Sequence, residues 1–477
     1  MIVLGMVAGL VLAALPGLAL AAWGCRPAGR WRWAFALALA APLGLAVTSA
    51  LFFLYAVVFS PGTGFGYYVA LEVLVGLVSL IVVRRVALER GEREAESRAA
   101  SFGALGVLGV LVLVALVLSL GRFASEVQQN PDGRWDAWID WNLRARFLYL
   151  GGEQWIAGFS PSLQVGHTEY PLLLPGAVAR LWFYAGDATR LAPVSLAFVF
   201  TYGSIAVTGL ALASLGRPGQ GLLAAFTLAC APSFLEVGAL QYADVPLAFF
   251  ISSSIMLYCL HVPRRGADRK RESVVLGLSL GAAAWTKPEG LSFLACFLAC
   301  WIVFEGVFHG QARRQFAKPS LWLAAGLLPA LACLAILQIQ FDGSNRFLSD
   351  RQVPEVIQKL TDPERYLIVT RAVLAHLWVL GGWRLGVIPL GLVALSLAIR
   401  DLGREESWAA AGATAMLALT ALSYAMVYVI SPQGPRNLLP TSLGRLVAQL
   451  YPAFIFLVFF RLESPLKKHS AVRRQAA

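Results

Sequence analysis

Apolar residues gather along the chain into long runs separated by short polar stretches, and the strict apolar/polar alternation of barrel-type strands is absent. Thirteen runs read as membrane spans: residues 2–22, 33–59, 67–83, 102–121, 191–213, 220–236, 244–261, 273–286, 289–308, 320–340, 385–400, 408–430 and 446–462. A helix needs about 20 apolar residues to cross a bilayer core, and in lipid each backbone N–H and C=O must be satisfied within the segment. The pattern therefore predicts an all-α integral membrane protein with about 13 transmembrane helices.

Two further apolar segments, 171–185 and 366–381, are short and interrupted by charge, Arg180 in one and Arg371 with His376 in the other. Counting either as a crossing would reverse the basic loops that follow, so both are expected as juxtamembrane helices at the outer interface. The run 273–286 holds 14 residues, which reach only about 21 Å. With Lys287-Pro288 next, it reads as half of a broken pair lining a cavity near the outer side. The chain then divides into a three-helix segment (1–101), a membrane core (102–340) with a first outer loop (122–190), an outer loop with a juxtamembrane helix (341–384), and C-terminal helices with a tail (385–477).

Charge sets the orientation. Short loops carrying Arg84, Arg85, Arg264, Arg265, Arg269, Lys270, Arg271, Arg313 and Arg314 are expected on the cytoplasmic side, as is the tail with Lys467, Lys468, Arg473 and Arg474. Thirteen spans then put the N-terminus outside, in what is expected to be a bacterial inner (plasma) membrane. The first 22 residues contain no Lys or Arg, so the basic leader of a cleaved signal peptide is missing and the segment reads as a span.

Composition agrees: 58% of the 477 residues are hydrophobic and 14% charged, far from a soluble domain. The formal charge of +12 sits in short loops and not on one face or arm, so it reads as a topology signal and no nucleic-acid partner is expected. Six cysteines lie in or beside apolar runs without metal spacing and read as small buried hydrophobes.

The chemistry collects on the outer side. The first outer loop runs Asp136-Ala-Trp-Ile-Asp140-Trp-Asn-Leu-Arg144. A helical turn would place Asp136 and Asp140 on one face, which Arg144 continues, with Trp135, Trp138 and Trp141 as a second, interfacial stripe. His167-Thr-Glu169-Tyr170-Pro171 follows, where Glu169 is either an N-terminal cap of the next helix or a site residue. Asp244 begins one span, and Lys287 and Glu289 flank the break at Pro288, as a local pair or as groups facing a cavity. Arg436 and Arg445 lie in the last outer loop, against the positive-inside bias. Carboxylates suit a general base and cations suit a phosphate leaving group.

This ordered set resembles the polytopic membrane glycosyltransferases of the GT-C type, especially the branch of the protein O-mannosyltransferases and lipid A aminoarabinose transferases. The likeness runs over about residues 102–340. It consists of the first-loop acids Asp136 and Asp140, Glu169-Tyr170-Pro171, Asp244-Val-Pro246, and Trp285-Thr-Lys-Pro-Glu-Gly290. Three spans precede the catalytic loop here, where the family usually has one. The resemblance implies inverting transfer of a sugar from a polyprenyl-phosphate donor to a hydroxyl of a lipid, glycan or protein acceptor on the extracytoplasmic face. Asp136 would be the base, and Asp140, His167, Glu169, Asp244, Lys287, Arg436 and Arg445 would bind substrate. Paired acids beside a phosphate would also suit Mg²⁺ or Mn²⁺, but the resemblance favours a reaction without metal, and no cofactor is expected. Two rivals remain: a secondary transporter, which would show paired halves and midplane charges, and a lipid-linked glycan polymerase or ligase using the late outer loop.

Overall fold

A computed structural model gives the fold. It describes residues 1–25, 31–91, 102–160, 163, 166–262, 269–307, 313–340, 353–383, 391, 393–396 and 402–462. The regular elements among these are all helical. They are α1 (Ile2–Gly24), α2 (Arg32–Phe59), α3 (Phe65–Gly91), α4 (Phe102–Gln129), α5 (Asn142–Leu150), α6 (Leu173–Ala185), α7 (Leu191–Ser214), α8 (Pro218–Ala229), α9 (Pro232–Ala239), α10 (Asp244–His261), α11 (Lys270–Thr286), α12 (Pro288–Trp301), α13 (Arg313–Gln340), α14 (Val353–Thr361), α15 (Pro363–Trp378), α16 (Arg404–Ile430) and α17 (Pro435–Arg461), with shorter turns between some of them.

Among the described residues, ten helices are long and apolar enough to cross a membrane: α1–α4, α7, α10, α12 with its continuation to Val307, α13, α16 and α17. The pair α8–α9, bent by 65°, makes up to eleven. The integral-membrane expectation stands at this level. The run 273–286 lies within α11, a helix of 17 residues, and most of the run 385–400 falls outside the described residues.

Burial grades across the bundle. All residues of α10 are buried, packed among α7, α11, α16 and α17. α4 exposes Val107, Val110, Leu111, Val114, Val117 and Leu118, a surface that lipid can cover and water would not. α1 and α2 meet closely at Gly17 and Gly44, where an added Cβ would run into the carbonyls of Ala40 and Ala13, the small-residue contact by which membrane helices approach.

The segment 171–185 does form a helix, α6, but protein encloses it: Leu173 through Trp182 are buried. Its charge is neutralised inside. Arg180 donates from Nε and Nη2 to Glu72 of α3 at 2.6 and 2.8 Å and from Nη2 to the Gly9 carbonyl at 2.8 Å. Tyr68 and Tyr184 donate to the same carboxylate at 2.7 and 2.5 Å. An ionisable side chain at membrane depth needs a partner, and Glu72, hidden in the apolar run 67–83, supplies it. The segment 366–381 fits its expectation better. In α15 only Val369 is buried, against Tyr428, Val429, Leu439 and Leu443, while Leu367, Leu374, Leu377 and Trp378 face outward.

Candidate functional site

After α4 the chain makes a single π-helical turn, Ala137–Trp141, before α5. Hydrogen bonding from i to i+5 inserts one residue per turn, so residues four apart no longer stack. The two aspartates expected on one face accordingly diverge. Asp136 reaches Arg445 of α17, whose Nη2 donates to Oδ2 at 2.5 Å. Asp140 turns inward, 2% exposed, where it accepts the His167 backbone N–H at 2.6 Å and lies 3.6 Å from Arg144. The tryptophan stripe divides in the same way: Trp135 and Trp138 are exposed, whereas Trp141 is fully buried and stacks on Tyr170 at 5.6 Å.

Asp244, the first residue of α10, is met by the break between α11 and α12 and by the interior of α17. Its carboxylate is 0% exposed and accepts from Lys287 Nζ at 3.0 Å, Gln449 Nε2 at 2.6 Å and Arg445 Nε at 3.1 Å. The connection between α11 and α12 puts Lys287 there. Lys287 is extended, Pro288 starts α12, and Gly290 packs so tightly over the Ala283 carbonyl that no larger residue fits. Lys287 also pairs with Glu289 at 2.9 Å, so the local pair exists as one link of a larger chain. α17 starts at Pro435 rather than 446, so Arg445 and Gln449 are helical, four apart on one face. The Arg445 guanidinium, shared between Asp136 and Asp244, lies 4.6 Å over the Tyr242 ring. Both carboxylates thus hold the same cation.

The second group lies on the 166–172 segment. His167 Nδ1 is 3.2 Å from Glu169 Oε1, and its ring stacks on Tyr170 at 4.4 Å. Glu169 does not cap α6, whose N-terminus carries no side-chain cap. Burial pulls the His167 pKa down, but the Glu169 hydrogen bond and the Asp140 charge outweigh it and leave it raised. Burial pushes Glu169 up, but the His167 hydrogen bond and a backbone N–H leave it lowered. Asp140 is raised by burial over its hydrogen bond from His167 and the Arg144 charge, and Arg144 is lowered by burial. Tyr170 is raised well above its ordinary value, by burial and then by the charges of Glu289, Asp140, Glu169 and Asp136. The tyrosine therefore lies in the field of both groups.

Of the residues singled out in the sequence, Asp136, Asp244, Lys287 and Arg445 form one connected ion-pair chain, and Asp140, His167 and Glu169 form its neighbour. Arg436 joins neither. It is 73% exposed and pairs with Glu364 of α15 at 2.6 Å. Sequence reasoning missed Gln449, although its spacing from Arg445 was a signal, and Tyr424 of α16, which lies in the field of Glu289 and Asp244. Among the described residues no group of three or more His, Cys, Asp or Glu is placed to hold a metal ion. No protein-family model matches the chain, and neither a curated protein nor a solved structure matches it.

Proposed function

We propose that this protein is an inverting glycosyltransferase that moves a sugar from a polyprenyl-phosphate donor to a hydroxyl acceptor at the extracytoplasmic face of a plasma membrane. The observation that carries this reading is the chain Asp136–Arg445–Asp244–Lys287–Glu289, which gathers ionisable groups from the turn after α4, the interior of α17, the start of α10 and the break between α11 and α12. Ionisable groups at such depth are costly and mark function by default. The resemblance to GT-C enzymes in the order of the acidic motifs supports the same reading.

The geometry separates the two first-loop acids. Asp140 is enclosed and committed to the His167 backbone, a positioning role. Asp136 is 21% exposed at its side chain and is the better base. The Asp136 carboxylate is occupied by Arg445 at 2.5 Å, so the donor phosphate has a task before chemistry. By drawing Arg445 and Lys287 toward its oxygens, it frees Asp136. Asp136 then takes the acceptor proton as the acceptor oxygen attacks the anomeric carbon, and the bond from that carbon to the phosphate oxygen breaks. Prenyl phosphate leaves with the electron pair, stabilised by the two cations. One displacement inverts the anomeric centre, and no carboxylate is needed as nucleophile.

The transporter reading is tested in the same experiment. Purified protein in liposomes is given farnesyl-phosphoryl sugars labelled in the sugar, together with lipid, glycan or peptide acceptors. Release of farnesyl phosphate with label moved to an acceptor is the expected result. Movement of intact label across the bilayer without bond cleavage would overturn the reading.

A further inference from the structure

Buried polar atoms normally find partners, and those that do not call for an explanation. Around Tyr170 several are left over. Glu169 Oε2, Glu289 Oε2, Arg144 Nη1, Trp141 Nε1 and the Tyr424 hydroxyl are buried and have no hydrogen-bond partner among the described residues. Trp141, Arg144 and Tyr424 are 0%, 2% and 4% exposed. The Trp141 ring lies 5.6 Å and the Arg144 guanidinium 6.0 Å from the Tyr170 ring, and Glu169 is its chain neighbour. Glu289 opens α12, which packs against α16, the helix of Tyr424.

The composition of this set selects its ligand. Two carboxylate oxygens accept, a guanidinium and an indole N–H donate, and a phenol does either. A phosphodiester, with acceptors only, would leave both glutamates unsatisfied and repel them. A neutral polyhydroxyl ring, whose hydroxyls each donate and accept, matches every member. Tyr170 is flanked by the His167 ring at 4.4 Å and the Trp141 ring at 5.6 Å. Recognition there runs through hydroxyl edges and not through stacking on Tyr170.

We infer that Glu169, Glu289, Arg144, Trp141, Tyr170 and Tyr424 form a subsite for a neutral glycosyl ring, beside the ion-pair chain that would receive the phosphate. This subsite rests on the glycosyl-transfer reading above, and it adds that uronic acids are excluded. A site built to bond hydroxyls discriminates strongly, because its buried groups are stranded when the wrong ligand binds.

The test is a binding series on purified full-length protein with farnesyl phosphate, farnesyl-phosphoryl glucose, mannose and arabinose, and farnesyl-phosphoryl glucuronate. A neutral sugar should bind at least about tenfold tighter than either the bare phosphate or the glucuronate. Tyr424→Phe and Trp141→Phe, each removing one polar atom, should each weaken the neutral glycosyl probe by roughly three- to tenfold and leave farnesyl phosphate unchanged. Equal binding of bare and glycosylated probes by the wild type, preference for the glucuronate, or unchanged sugar binding in both variants would overturn the subsite while leaving the phosphate reading intact. Failure of every probe to bind would bring down the functional reading together with the subsite.

Discussion

Replacing Asp244 by Asn removes the charge that Lys287 and Arg445 share and keeps the side-chain shape. Asp244 is 0% exposed and accepts three hydrogen bonds, two from cations. Hydrogen bonds to charged groups contribute about 1.5–3 kcal/mol each, but the cations keep their other partners, Glu289 and Asp136. The stranded-charge cost of breaking a buried pair, about 3–5 kcal/mol, is the better guide. A double-mutant cycle isolates it. Asp244→Asn should destabilise the detergent-purified protein by that amount in denaturant unfolding. Adding Lys287→Met, which removes one stranded ammonium, should then cost little or recover part of the loss, a coupling of about 1–3 kcal/mol. Additivity within roughly 0.5 kcal/mol would show that Asp244 and Lys287 do not interact as described and would refute the reasoning.

The Glu72–Arg180 staple follows the same logic. Arg180→Met alone should cost about 3–5 kcal/mol, and Glu72→Leu combined with Arg180→Met should recover much of it, read by the same unfolding assay. The Arg436–Glu364 pair is exposed on both sides, so Arg436→Ala should change stability by less than about 0.5 kcal/mol and leave donor binding intact. The His167–Glu169 pair gives a pH dependence. The raised His167 pKa contributes stability that is present below the unfolded value near about 6.5 and is lost as pH rises through the folded value. The lowered Glu169 pKa contributes stability that is present above about 4.3 and is lost as pH falls through its folded value. The stability gap between wild type and His167→Gln should therefore be widest between those limits and close on the alkaline side, and a gap independent of pH would remove the pair as a contributor.

Periodicity and run length made the membrane class legible, because lipid forces nearly every spanning residue to be apolar and every backbone group to bond locally. The same rule hid the exceptions. Glu72 is the single charge in the apolar run 67–83, and Arg180 read as a reason to keep α6 at a surface, since neither residue reveals its partner 108 positions away. The candidate acids and cations were legible one by one, by position at helix ends. Which of them meet was not. The π-turn that separates Asp136 from Asp140 has no sequence signature, and α17 begins at Pro435 because Pro suits a first turn, a signal outweighed by the polar residues around Arg436. Proline at helix starts was the informative mark in several places: Pro218, Pro232, Pro288, Pro363 and Pro435 each open a helix.

If Asp136 is the base that the donor phosphate frees, binding and turnover separate at that one residue. Wild type and Asp136→Asn are compared for saturable binding of a labelled polyprenyl-phosphate sugar and for release of polyprenyl phosphate in the presence of acceptor. Binding in both and release in wild type alone is the expected result. Release that survives in Asp136→Asn, or that is abolished by Asp140→Asn while Asp136→Asn turns over, would contradict it.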